Sequence, residues 1–362
     1  MLKLRTLVVM SMVTVNSMAA APEISFSGYL DADVWVDLRG SYFTNSELDL
    51  GLSLQFNPKI SAHVYTTVNS VYSLSGQGQI PAGAGLPSER WIEVHFDGFD
   101  ITWESKIGTL KVGDLVYQYG KFNYYFYKRL SMITKESFTR GLSYGIGNEK
   151  IRQEITAGVA DVGDNVADLH GLTGVNLNEN HSLELYYGMR GSSLEEISSG
   201  TDFFAGAHYL GSIGDYLSVK ADVGYTSIGG TDRGNVISLL LEPSLTFNRF
   251  SLDFTGYALF DPDSVNKLAD DPLFGIADEL MFYVEPGYSF NDKFAVGLPL
   301  EFHGADLENK DDNAFWAVPT FYIYPAENIQ WWLWGQVVVP LSDGVKGKDL
   351  LYGIGSEIIV EF

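Results

Sequence analysis

Glu93, His95 and Asp97 alternate with Ile92, Val94 and Phe96, so an extended chain projects all three polar groups from one face. Two carboxylates flanking an imidazole are a donor set for a divalent metal, or a means of polarising a water molecule. The same trio is more often the wetted wall of a polar passage, and no further ligand pattern accompanies it. The other histidines, His63, His170, His181, His208 and His303, are scattered along the chain. There is no paired-histidine spacing, no serine-nucleophile motif, and no glycine-rich phosphate loop between a strand and a helix. The expectation is therefore a protein that is not an enzyme, with no catalytic residue, no resident metal and no cofactor.

A second concentration of chemistry lies in the stretch 118–140. Lys121, Lys128, Arg129, Lys135 and Arg140 are interleaved with Phe122, Tyr124, Tyr125, Phe126 and Tyr127, in a chain that otherwise carries 46 acids against 23 bases and a formal charge of −23. A third is distributed. Acids recur on alternate positions of apolar runs: Asp31, Asp33, Asp37, Glu93, Asp97, Glu184, Asp222, Glu242, Asp253, Glu285 and Glu301, with Lys111, Arg152, Arg190 and Lys220 as the basic counterparts. Net negative charge of this size excludes a partner held by phosphate neutralisation, so no nucleic acid is expected.

The elements that must carry these groups are strands. Ile24, Phe26, Leu30, Ala32, Val34 and Val36 share one face, and Ser25, Ser27, Asp31, Asp33 and Asp37 the other. The same period of two runs through 48–56, 183–189, 217–226 and 250–255, and to the C-terminus, where Ile358, Val360 and Phe362 oppose Glu357 and Glu361. One apolar and one polar face means a sheet covered on a single side. The segments run to about ten residues, the length a tilted strand needs to cross a bilayer. Trp91 to Trp103 changes face near Gly98, the mark of a bulge.

Punctuation alternates between two kinds. Short polar turns fall at 57–59, 104–108, 148–150, 178–180, 214–215, 248–249, 291–293 and 326–328. Longer stretches separate them at 39–46, 74–90, 118–140, 161–167, 190–201, 228–234, 261–278, 304–313 and 341–349. The fold class expected is all-β: a transmembrane antiparallel up-and-down β-barrel of roughly 16–18 strands, with both termini on the short-turn side. Met1 to Ala19 reads as a secretory signal peptide, with basic Lys3 and Arg5, an apolar core and small residues before the cut, leaving 20–362 as the barrel. No cysteine is present, so no disulfide supports an exported chain.

A chain-long alternation that closes on a terminal Phe362 resembles the bacterial outer-membrane porin family, the Gram-negative β-barrel diffusion channels. Gly108-Thr109-Leu110-Lys111-Val112-Gly113-Asp114 is similar to the porin strand that leads into the third loop, although Asp114 stands where a basic residue is usual. The resemblance implies a Gram-negative outer membrane as the location, with lipid and lipopolysaccharide around the wall. It implies delivery by the barrel-assembly machinery through the strand ending in Phe362, and a homotrimer. It also implies that the loop near 118–140 folds inward, making Lys121, Tyr125, Lys128, Arg129, Lys135 and Arg140 a constriction facing an acidic wall. The alternative is an external basic-aromatic loop against a neighbour or lipid headgroups.

With apolar faces toward lipid, the expected pore-lining residues are Asp31, Asp33, Asp37, Glu93, Asp97, Lys111, Arg152, Glu184, Arg190, Lys220, Asp222, Asp253, Glu285 and Glu301. Acids outnumber bases among them, which favours cations. Trp331 falls with Leu333 on the lipid side, and Trp332 and Trp334 on the polar side, either as parts of an aromatic girdle or as rings for a solute to stack on. Two functions follow: a passive diffusion channel for small hydrophilic solutes, or a plugged barrel serving as a surface adhesin or structural protein.

Overall fold

The computed structural model describes residues 22–37, 42–74, 91–117, 137–161, 166–191, 201–229, 234–260, 279–304, 313–341 and 351–362. Strands occupy nearly all of them: β1 (Glu23–Asp37), β2 (Tyr42–Asn57), β3 (Ile60–Leu74), β4 (Trp91–Ser105), β5 (Gly108–Tyr117), β6 (Ser137–Gly147) and β7 (Ile151–Asp161). There follow β8 (Val166–Asn178), β9 (His181–Gly191), β10 (Asp202–Ile213), β11 (Leu217–Ile228), β12 (Gly234–Phe247), β13 (Phe250–Phe260) and β14 (Glu279–Asn291). The last are β15 (Phe294–Gly297), β16 (Leu300–Gly304), β17 (Asn313–Ala317), β18 (Thr320–Ala326), β19 (Ile329–Pro340) and β20 (Leu351–Glu361).

Chain neighbours pair antiparallel, and β1 pairs with β20 from Tyr29↔Glu361 to Asp37↔Gly353, which closes the sheet. β14 pairs with β15 at one end and β16 at the other, and β19 likewise pairs with both β18 and β17. β15 with β16, and β17 with β18, are therefore two halves of single strands, and the barrel has 18 strands. The breaks fall at Pro299 and Pro319. Proline has no N–H to give the ladder. The ladder resumes beside each proline, where the Val318 amide donates to the Pro299 carbonyl (2.8 Å) and the Gly335 amide to that of Pro319 (3.0 Å).

All eight expected short turns are present, and four of them share one device. The side-chain oxygens of Asn57, Asn148, Asn178 and Asn291 accept from the backbone amides of Lys59, Lys150, Asn180 and Lys293 at 2.8–2.9 Å. Such asparagine turns close a hairpin without demanding glycine. Two others use left-handed backbone at Asn248 (φ 54) and Gly214 (φ 56). In β4, Tyr65 of β3 faces Gly98 while Thr66 faces Phe96, so Asp97 is the extra residue of a bulge. Val94 and Phe96 before it, and Phe99, Ile101 and Trp103 after it, all lie on the exposed apolar side. The bulge is thus what keeps one strand in register with lipid after its parity flips.

The apolar face points outward. Phe26 is 76 % exposed, Val94 69 % and Phe247 68 %, a degree of apolar exposure that water does not tolerate over a continuous belt. Trp103, Tyr144, Tyr216, Phe247, Phe250, Phe290, Phe294 and Trp331 are exposed on it beside the short turns, forming an aromatic girdle at that rim. The polar face is concave. There, hydrogen bonds reach over an intervening strand: Thr139 of β6 to Asp168 of β8, Arg152 of β7 to Glu184 of β9, and Tyr186 of β9 to Asp222 of β11 (2.8 Å).

Glycine makes those reaches possible. A Cβ on Gly174, between Arg152 and Glu184, would lie 2.6 Å from the Arg152 Nε, and one on Gly206 would lie 2.1 Å from the Tyr186 ring. Missing side chains open windows through which long ones lie flat against the wall. At the seam the Gly28 amide donates to the Phe362 carbonyl (2.8 Å) and the Phe362 amide to the Gly28 carbonyl (3.0 Å). The Phe362 ring fills the space over Gly28, so the last residue of the chain locks the closure.

Candidate functional site

Strand register decides which charges meet on the inner face. Every lysine and arginine that sits in a described strand lies between β5 and β11, and each has a carboxylate beside it. On that face Lys111 approaches Glu154 (4.0 Å), Arg152 pairs with Glu184, Arg190 with Asp168 (3.4 Å), and Lys220 with Glu242 (4.0 Å); Arg140, on the outward face, pairs with Asp114. From β12 through β20 and on to β4 the described strands contain carboxylates and no lysine or arginine. The wall is divided: one arc is neutralised pair by pair, the other carries one sign of charge.

On the single-sign arc, Asp31 faces Glu47 across β1–β2, and Asp33 faces Glu357 across β1–β20. Like charges directly opposed weaken a sheet. Some of the load is carried by neutral donors. The Asn45 amide donates to Asp33 (2.8 Å), and the Thr67 hydroxyl bridges Asp49 (2.6 Å) and Asp97 (2.7 Å). Asp253 accepts from Ser244, and Glu285 accepts from the hydroxyls of Tyr283 and Tyr322 (2.6 Å), the second reaching over Gly297.

The Glu93-His95-Asp97 trio does not converge on one point. His95 Nε2 sits 2.9 Å from Glu93, while Asp97 turns to Thr67; both Glu93 and His95 side chains are half exposed. Among the described residues no group of three histidine, cysteine or acidic side chains has the geometry to hold a metal ion. A denser network that the sequence did not single out lies on the neutralised arc. His170 Nδ1 is 3.3 Å from Asp168, and His208 Nδ1 is 3.5 Å from Asp222, all four nearly sealed from solvent. Tyr186 and Phe204 pack between them. The spacing Asp168-x-His170 repeats that of Glu93-x-His95 and could have flagged the first pair. Only register, which sets His208 opposite Asp222, reveals the second.

The other expected wall residues lie on the polar face; Asp37 is the last residue of β1, with its backbone opposite Gly353. Two of them correct the expectation of contact with pore water: Asp222 is 5 % and Glu301 2 % exposed, because large neighbours on the same face pack over them. The third long stretch ends earlier than 140, since β6 begins at Ser137. Arg140 therefore belongs to a strand. It shares its face with the exposed Leu142, Tyr144 and Ile146 and pairs with Asp114, so it is no part of an inward loop. Its alternation with Thr139, Gly141 and Ser143 is the period-two signal that the basic-aromatic composition hid. Lys121, Tyr125, Lys128, Arg129 and Lys135, like the stretch 1–19 expected to be a signal peptide, lie outside the described residues. Trp331 is outward, and Trp332 and Trp334 are inward, as their parity implies.

No family model and no curated protein matches the chain. Solved structures do. The outer membrane protein OpdK of Pseudomonas aeruginosa is 9 % identical at a TM-score of 0.59, over 94 % of this chain and 99 % of that one. OprD of the same organism gives 9 % and 0.59 over 96 % and 97 %. OccAB2 of Acinetobacter baumannii gives 10 % and 0.57 over 94 % and 98 %. At such identities the likeness is one of fold: the 18-strand barrel of this chain is similar to the structures of those outer-membrane proteins.

Proposed function

We propose that the chain is a passive diffusion channel for small hydrophilic solutes across the outer membrane of a Gram-negative-type bacterium, and that it favours cations. The observation that carries this is the divided wall. Four inward strand cations are each neutralised on β5–β11, and the described strands of the arc from β12 to β4 add carboxylates alone. A low-dielectric wall of one sign concentrates counter-ions in the water beside it. The porin-like fold and the apolar belt with its girdle support the location. The resemblance at the closing strand supports assembly through Phe362 and a trimeric state.

A second reading has its own observation. On the inner face of β12–β14, Val236, Leu240, Tyr257, Leu259, Met281 and Tyr283 are at most 5 % exposed, so that part of the interior is packed rather than wetted. A barrel filled throughout in this way would be a surface or structural protein. Swelling of liposomes that contain the refolded protein, in isotonic solutes of graded size, separates the two. A channel swells them with a size cut-off; a plugged barrel leaves them as tight as empty vesicles.

A further inference from the structure

The outward wall carries a pair of charges that the barrel itself does not need. Among the described residues, and away from strand ends, every charged position of a strand falls on the inner face except two. These are Asp114 of β5 and Arg140 of β6, which stand opposite one another in the ladder. Around them on the outward face Val112, Leu142, Tyr144 and Ile155 are exposed. An ionised side chain on a lipid-facing wall is costly, and where one is kept it marks a contact with something that lowers the cost.

The seat for the pair is built from glycine. Gly98 (φ 138) and Gly113 (φ 141) hold a backbone conformation that other residues rarely adopt. A Cβ on Gly98 would collide with the Asp114 side chain, and one on Gly113 with the Phe99 carbonyl. So placed, the carboxylate accepts from the Phe99 amide (3.2 Å) through one oxygen and from the Arg140 Nε through the other. The Asp114 side chain is 13 % exposed and that of Arg140 56 %, and the terminal nitrogens of the guanidinium have no partner among the described residues. Arg140 lies three residues from the long-loop end of β6 at Ser137, and Asp114 three from that of β5 at Tyr117. On strands tilted by about 40°, three residues are about 8 Å of depth, and the long loops are on the outer side. An arginine crosses that distance by laying its stem on the apolar wall and turning its head to the interface.

We infer that the outward face of β5–β7 docks a phosphorylated lipid of the outer leaflet. Arg140 holds a phosphate, Asp114 orients the guanidinium, and Val112, Leu142 and Ile155 receive an acyl chain. A guanidinium fixed by its Nε presents its remaining N–H groups as a fork, which matches a phosphate by two parallel charge-assisted bonds. A second copy of the chain fits less well, because the only outward carboxylate that the described strands offer away from their ends is Asp114, already engaged. The inference rests on the outer-membrane location proposed above and not on an open lumen.

The test uses the refolded barrel and two probes: lipid A with both phosphates, and the same lipid with its phosphates removed. Native mass spectrometry counts the lipid molecules retained per barrel. The parent should retain lipid A at least about tenfold better than the stripped lipid. Arg140→Gln combined with Asp114→Asn replaces the ion pair by a neutral one and leaves no lone charge facing lipid. That variant should retain both lipids alike, with the heat-modifiable gel shift confirming its fold. Arg140→Lys keeps the charge without the fork and should fall between. Equal retention of the two lipids by the parent, or a preference unchanged in the double variant, overturns the site. A multimer that the double variant loses with no change in lipid retention overturns it too, and makes the face an interface between copies. A barrel that folds without lipid preference refutes the site and leaves the location standing; one that folds in no lipid refutes the location with it.

Discussion

The opposed pair Asp33 and Glu357 gives the sharpest quantitative prediction. Register partners in a sheet have Cα atoms about 5 Å apart, so an ion passing that row lies roughly 6 Å from both carboxylates. In a water-filled passage each contributes about 0.7 kcal/mol of attraction to a monovalent cation, together about 1.4 kcal/mol, or about tenfold, before screening. At 0.1 M salt the Debye length of about 10 Å leaves roughly half of this, about fourfold; at 1 M the remainder is about 1.4-fold. The double variant Asp33→Asn, Glu357→Gln loses the attraction of potassium and the equal repulsion of chloride together, so it should lower the potassium-to-chloride permeability ratio roughly fifteenfold at 0.1 M KCl and only about twofold at 1 M. The assay is the zero-current potential of reconstituted protein under a fixed concentration ratio at the two mean salt levels. An unchanged ratio at low salt would show that this row does not face the ion path. An equal loss at both salt levels would show that the effect is steric, and the electrostatic argument would fail.

Three further outcomes follow from the geometry. Arg152→Ala frees Glu184 and should raise cation preference, whereas Glu184→Ala frees Arg152 and should lower it; zero-current potentials of the two variants must move in opposite directions. Gly206→Ala drives a methyl group into the Tyr186 ring, which sits over the vacant position, and should cost about 1–3 kcal/mol of overpacking. The heat-modifiable band in gel electrophoresis should then shift at a lower temperature than in the parent. Removing Phe362 deletes both closing backbone hydrogen bonds and the ring over Gly28, so the folded fraction after dilution into lipid should fall several-fold, read by the same gel shift.

What could be read from the chain was whatever a strand decides locally. Alternation marked both faces of β1, β2, β9, β11 and β13. Asparagine and glycine marked the turns, and Gly98 marked the bulge, because each depends on a few neighbouring residues. The final strand number was harder. Pro299 and Pro319 each cut a spanning strand into two ladders, and only the shared partners β14 and β19 show the halves to be one. Contacts between strands were out of reach. Arg152 meets Glu184 only because Gly174 separates them, and His208 meets Asp222 only at one register of β10 on β11. The burial of Asp222 and Glu301 is a property of which large side chains share their face, and no periodicity encodes it. The basic-aromatic composition before Arg140 masks its own parity with Leu142 and Tyr144, which puts it on a strand.

The most direct test of the account is single-channel recording of the purified parent protein in a planar bilayer under a KCl gradient. Stable conductance steps with a zero-current potential of the sign set by potassium are the predicted result. Folded, heat-modifiable protein that gives no steps, or steps whose potential is set by chloride, would contradict the open acidic wall.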